Sequence, residues 1–153
     1  MSDRWVCLDV GETLVDETRV FRTWAGIFGL PDFTLMAVLG GSITNASSPD
    51  DWRRFFELLQ QPEWRDHAPA FEERYGALRA EDLYPDAVRA VDGLRAAGYR
   101  VAVTANQPAR RRAELAALGV DVEVMAMSEA MGVSKPEPAF FARTLELLGG
   151  PEP

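Results

Sequence analysis

The clearest hydrophobic pattern is at the start. Trp5 to Val10 is a mostly apolar run broken by one carboxylate, Asp9. Such a run predicts a strand that delivers its acid at the carboxyl end. In open α/β sheets, ligands bind at that end. Residues 16 to 82 then show helical character and no clear strand. Within them Trp52, Phe55, Phe56 and Leu59 recur at the three/four spacing of an amphipathic helix. Ser47, Ser48, Pro49 and Asp50 read as its start signal. The segment GGSITNASSPD (40–50) reads as a loop, and QQPEWRDHAP (60–69) as a second break.

Beyond residue 82 the pattern alternates. Tyr84-Pro85-Asp86 opens a predicted helix with Val88, Val91 and Leu94 on one face, stopped by Gly98. YRVAVTA (99–105) is rich in β-branched residues and predicts a strand. Pro108 to Leu118 predicts a helix closed by Gly119. Val120 to Met127 predicts a third strand, with Val120, Val122, Val124 and Ala126 alternating. A last helix runs from about Pro138 to Leu148, with Phe141, Leu145 and Leu148 on one side, and stops at Gly149-Gly150. The order is strand, insert, helix, strand, helix, strand, helix. It predicts an α/β fold of parallel βαβ units. Right-handed crossovers place the strand ends on one edge. Asp9, Thr104 and the loop leading to Lys135 can converge there.

Composition narrows the function. The chain has 153 residues and a net charge of −8. That suits one domain, or a compact core with a small insert. The acidic balance argues against nucleic-acid partners and against an anionic membrane surface. No apolar run approaches the roughly 20 residues of a membrane span, and the N-terminus lacks a secretory pattern. One cysteine, Cys7, precludes an internal disulfide and predicts a reducing, cytoplasmic setting. Cys7 lies inside the apolar run and reads as an inert core thiol. The only histidine, His67, reads as a surface residue, which excludes a His-dependent triad. Arg110-Arg111-Arg112 reads as a solvated helix face.

Three stretches together carry a resemblance. The first is Asp9-Val10-Gly11-Glu12-Thr13-Leu14 after an apolar strand. The second is Thr104 at the end of VAVT, with Asn106 close behind. The third is Lys135-Pro136-Glu137-Pro138 leading into Phe140. In order and spacing they resemble the motifs of the haloacid dehalogenase-like (HAD) hydrolase superfamily. The resemblance covers the chain outside the insert. It implies a three-layer, Rossmann-like core made of residues 1–15 and 83–153. Residues 16–82 would be a helical cap of the C1 type, with Trp24, Phe28, Trp52 and Phe56 as candidates to line it. Asp9 would be the nucleophile, forming an aspartyl intermediate. Thr104 would donate its hydroxyl to a phosphoryl oxygen, and Lys135 would neutralise charge. Thr104, Asn106 and Lys135 would bind substrate, although Asn106 reads equally well as a cap of the following helix. Mg²⁺ would take Asp9 and the Gly11 carbonyl as ligands. The implied activity is a Mg²⁺-dependent phosphatase acting on a small phosphorylated substrate.

Two departures from the family pattern keep alternatives open. The family's phosphatases carry a second Asp two residues after the nucleophile, as acid and base. Here that position is Gly11. Glu12, a water or a cap residue could substitute. Dehalogenases and phosphonatases of the family also lack that Asp, so a Mg²⁺-independent 2-haloacid dehalogenase is the enzyme alternative. The family's fourth motif, an acidic strand end that holds Mg²⁺, finds no counterpart after LELLGGPEP, the turn where that next strand would begin, and Glu152 has no matching context. The expectation is a fragment of a longer protein, or a sheet completed by another chain. The first strand would then be an apolar edge open to self-association. A degenerate, non-catalytic binding or assembly module is the remaining alternative.

Overall fold

The computed structural model describes residues 4–44 and 52–150. The start signal Ser47 to Asp50 and the tail residue Glu152 lie outside the described residues, as does the side chain of Trp52. The chain divides into two compact units, Met1–Asp16 with Leu78–Pro153, and Glu17–Ala77.

The first unit is α/β. Strands β1 (Trp5–Leu8), β2 (Arg100–Ala105) and β3 (Val124–Met127) form a parallel sheet in the order β1-β2-β3. Trp5 pairs with Arg100 and Leu8 with Val103; Ala102 pairs with Val124 and Ala105 with Met127. Side chains alternate across a strand. Val101, Val103, Ala105, Met125 and Met127 therefore share one face, where they join one buried cluster with Val91 and Leu115. Val91 comes from α5 (Ala87–Ala96) and Leu115 from α6 (Arg111–Ala117). Ala102 and Ala126 are buried on the opposite face. The short α7 (Ser128–Met131) and α8 (Pro138–Leu147) lie against β3. This is the parallel α/β arrangement the alternating pattern predicts and the Rossmann-like core the resemblance implies.

Several details differ from expectation. The third strand is shorter, because Val120 and Val122 are buried in the approach to it rather than in the ladder. α6 begins at Arg111, after a turn at Pro108 to Arg110. The inner face of α8 is Phe140, Thr144 and Leu148, four residues apart, while Phe141 is 50% exposed. Cys7 is exposed and is no core thiol. Its register partner is Ala102, on the face away from the α5 cluster. Partial burial of its sulfur pushes the thiol pKa up, which favours the protonated form at neutral pH.

The second unit is helical: α1 (Thr18–Phe28), α2 (Asp32–Thr44), α3 (Trp52–Leu58), a 3-10 turn at Trp64–His67, and α4 (Ala68–Tyr75). Its core is a set of rings. Trp24 stacks on Phe71 at 4.6 Å and meets Phe56 edge-on at 5.2 Å, and Phe56 stacks on Trp64 at 4.5 Å. His67 is half-buried, edge-on against Phe28 at 5.5 Å. The predicted loop from Gly40 starts too early: α2 continues to Thr44, with the Ser42 hydroxyl donating to the Leu39 carbonyl. Arg19 ties the ends of this unit together. Its guanidinium donates to the Tyr75 and Ala77 carbonyls at 2.6 and 2.9 Å and lies over the Tyr75 ring. Among the described residues no single helix is long and apolar enough to cross a membrane.

Candidate active site

Two parallel strand ends bring the candidate residues together. Asp9 follows β1, and Thr104 is the penultimate residue of β2. Both lie at the carboxyl edge of the sheet, where parallel strands open a crevice. The Asp9 carboxylate is held from two sides. The Val10 N–H donates to Oδ1 at 2.7 Å, and Lys135 Nζ pairs with Oδ2 at 2.8 Å. The same ammonium donates to the Thr104 carbonyl at 3.1 Å. Lys135 thus bridges the two strand ends. Its side chain is 24% exposed and that of Asp9 48%, so the pair is partly desolvated yet open to a small molecule. Among the described residues, the Thr104 hydroxyl has no hydrogen-bond partner of its own. It is a donor available to a substrate oxygen.

The chain after Asp9 is a tight turn. The Val10 carbonyl accepts from the N–H groups of Leu14 and Val15, both at 2.9 Å. Val10, Leu14 and Val15 are buried, which seats the turn on the core. Glu12 sits in the left-handed region at φ 52°. That conformation costs an L-residue about 1–2 kcal/mol. Its carboxylate accepts the Tyr84 hydroxyl at 2.8 Å. Gly11 contributes no acid. The turn is braced by Tyr84 N–H donating to the Leu14 carbonyl at 3.0 Å and by an antiparallel bridge between Val15 and Leu83.

The loop after β2 is equally fixed. Asn106 does not cap α6; its amide meets the backbone of Lys135. Nδ2 donates to the Lys135 carbonyl at 2.9 Å, and Oδ1 accepts the Lys135 N–H at 2.8 Å. The Lys135–Pro136 peptide is cis. Glu137 Oε1 accepts from both the N–H and the hydroxyl of Ser134 at 3.1 Å, closing the turn that carries Lys135. Glu129 accepts the Ala109 N–H at 2.6 Å. Arg111, read from sequence as solvated, is buried at 5% exposure. It is compensated there by Glu114 at 2.6 Å and Gln107 at 3.1 Å. Sequence reasoning missed these supports. The Ser134-x-x-Glu137 spacing and the three- and four-residue spacings of Arg111 from Glu114 and Gln107 were the local signals available. The Asn106–Lys135 pairing spans 29 residues and has none.

Among the described residues, no three His, Cys, Asp or Glu side chains come together as a metal cluster. Asp9 and the Gly11 carbonyl are the oxygen donors that the resemblance implies. One carboxylate and one carbonyl fit a Mg²⁺ ion that keeps most of its shell as water and substrate oxygens, its usual mode at phosphate sites.

The family model for haloacid dehalogenase-like hydrolases matches residues 4–153. No curated protein sequence matches the chain. Solved structures do. A HAD phosphatase from Thermococcus onnurineus is 22% identical with a TM-score of 0.53, over 95% of this chain and 72% of its own. The L-2-haloacid dehalogenase of Xanthobacter autotrophicus, with chloropropionic acid covalently bound, is 20% identical with a TM-score of 0.64, over 95% and 65%. A HAD hydrolase from Bacillus subtilis bound to magnesium is 17% identical with a TM-score of 0.63, over 94% and 73%. These likenesses establish the fold and include both phosphatases and dehalogenases. With its three motifs meeting at one sheet edge and a family match over nearly its whole length, the chain belongs to the haloacid dehalogenase-like hydrolase family.

Proposed function

We propose that the chain hydrolyses a small phosphorylated substrate through an aspartyl-phosphate on Asp9. The observation that carries this reading is the Lys135–Asp9 pair at 2.8 Å, anchored to the second strand end through the Thr104 carbonyl. A carboxylate fixed in this way is oriented for attack and sits beside the positive charge that phosphoryl transfer needs. The Asp9 carboxylate attacks phosphorus. The bond from phosphorus to the leaving oxygen breaks, and that oxygen keeps the electron pair. Water then attacks phosphorus, releasing phosphate and regenerating Asp9. The Thr104 hydroxyl binds a phosphoryl oxygen, and Lys135 neutralises the oxygens gathered at the site. Mg²⁺ on Asp9 and the Gly11 carbonyl would supply further charge neutralisation.

Gly11 shapes the substrate. It offers no proton to the departing oxygen, and Glu12 is engaged by Tyr84. General acid help is worth about 10²- to 10⁴-fold. The favoured substrate is therefore a phosphate whose leaving group departs unprotonated, such as an aryl or acyl phosphate. The same observation favours a second reading, displacement of halide from a 2-haloacid. Halide leaves without a proton, and Asp9 would form a carbon ester in place of a phosphoryl one. The test is phosphate release from alkyl, aryl and acyl phosphates with and without Mg²⁺, alongside halide release from 2-haloacids. Mg²⁺-dependent phosphate release, fastest for the aryl and acyl compounds, is the expected result. Halide release independent of Mg²⁺ would move the assignment to dehalogenation. Phosphate-analogue binding with neither turnover would make the chain a binding module. The expected setting is cytoplasmic.

A further inference from the structure

We propose that Asn106 is a positioning residue whose side-chain amide clamps the backbone of Lys135, and so aims the ammonium at Asp9, rather than touching substrate. The inference rests on the reading of Asp9 and Lys135 given above.

The amide of Asn106 makes a reciprocal pair with one residue. Oδ1 accepts the Lys135 N–H at 2.8 Å, and Nδ2 donates to the Lys135 carbonyl at 2.9 Å. Donor and acceptor of one side chain thus match the acceptor and donor of one backbone unit, which fixes the approach of both. The pair is partly buried, where an unmade hydrogen bond costs more than a made one gains. Asn106 lies two residues past Thr104, at the end of β2, so the clamp references Lys135 to the same strand that its ammonium touches. Lys135 is therefore held to β2 at two points: its backbone through Asn106, and Nζ through the Thr104 carbonyl at 3.1 Å. Between these points a flexible four-carbon stem must reach Asp9 Oδ2 at 2.8 Å. Fixing both ends of that stem removes most of the freedom that makes lysine a poorly aimed charge. Both the oxygen and the nitrogen of the amide bond Lys135, which turns the amide toward that residue's backbone.

Lys135 is the only lysine in the sequence. ¹⁵N-lysine labelling therefore gives a single backbone amide signal, at the clamped N–H. Its hydrogen exchange is compared in wild type, Asn106→Ala and Asn106→Asp. Losing the acceptor in Asn106→Ala is expected to speed exchange about tenfold, the equivalent of one net hydrogen bond. Asn106→Asp keeps the oxygen acceptor but loses the donor and sets its second oxygen against the Lys135 carbonyl, so its exchange is expected between wild type and Asn106→Ala; if the alanine variant fails to fold, exchange in Asn106→Asp equal to wild type overturns the clamp. In turnover, Asn106→Ala is expected to lower kcat about 10- to 100-fold, as misplacement of a catalytic group does, with KM nearly unchanged. In a Lys135→Met background the same change is expected to cost nothing further, because both act through one group. Equal amide exchange in wild type and Asn106→Ala overturns the clamp. A raised KM at constant kcat, or additive losses with Lys135→Met, overturns the positioning role and makes Asn106 a substrate ligand. If no form turns over any substrate, the proposed function fails, while the exchange comparison still decides the clamp.

Discussion

The two units of this chain are held together by different physics. The α/β unit is built on a backbone ladder, with small and β-branched side chains (Val101, Ala102, Val103, Ala105) buried in its central strand. The helical unit is built on rings, with Trp24, Phe56, Trp64 and Phe71 stacked or edge-on within 4.5 to 6.1 Å. In the first, the candidate site residues Asp9 and Thr104 sit at the carboxyl ends of the strands, supported by backbone-directed hydrogen bonds. In the second, large side chains supply cohesion, and the polar groups, such as Arg19, tie segment ends. Stability and reactivity should therefore respond to different substitutions.

The largest expected effect is in the helical unit. Phe56 is buried at 2% exposure and touches Trp24, Phe28, Phe55 and Trp64. Phe56→Ala should cost about 3–5 kcal/mol. Hydrogen exchange followed by mass spectrometry should show the loss in residues 17–77, with β2 still protected. Loss of protection in β2 to the same degree would break the distinction between the units.

Glu12→Gln tests the α/β unit without disturbing its core. Because Glu12 accepts the Tyr84 hydroxyl, the amide oxygen of Gln can keep that bond. Turnover should stay within about threefold of wild type, against the 10²- to 10⁴-fold loss expected of a general acid. A loss of that larger size would make Glu12 the acid that Gly11 lacks.

The smallest effect concerns the strand starts. Arg100 donates to Glu123 at 2.7 Å, and this hydrogen bond, with the guanidinium charges of Arg100 and Arg95, holds the exposed Glu123 carboxyl below its ordinary 4.5. A depressed carboxylate pKa contributes stability above the unfolded value and loses it as pH falls through the folded one. Glu123→Gln should thus lower the urea midpoint slightly at pH 7, with the difference shrinking as pH falls below the ordinary carboxylate range. A difference that does not shrink with acidification would point to a cause other than ionisation.

Much of the α/β unit was legible because strand-end chemistry is written locally. Asp9 and Thr104 each close an apolar run, and Lys135 precedes a Pro-x-Pro turn. What was illegible depended on the fold, either through a distant partner or through which face is covered. Asn106 read equally as a helix cap, since its partner lies 29 residues away. Arg111 read as solvated, since only the fold brings its guanidinium inside against Glu114 and Gln107. Cys7 read as core because a short apolar run does not say which face of the strand is covered. In the helical unit, paired glycines at Gly40-Gly41 suggested a break. The helix runs through them to Thr44, with Leu35 buried in the ring cluster and Val38 and Leu39 packed against it.

The central claim is that Asp9 is the nucleophile. The direct measurement is the mass of the Asp9-containing peptide after acid quench during turnover of an aryl phosphate with Mg²⁺. A phosphoryl adduct on Asp9, absent together with turnover in Asp9→Asn, is the predicted result. Undiminished turnover by Asp9→Asn, or an adduct on another residue, would contradict the account.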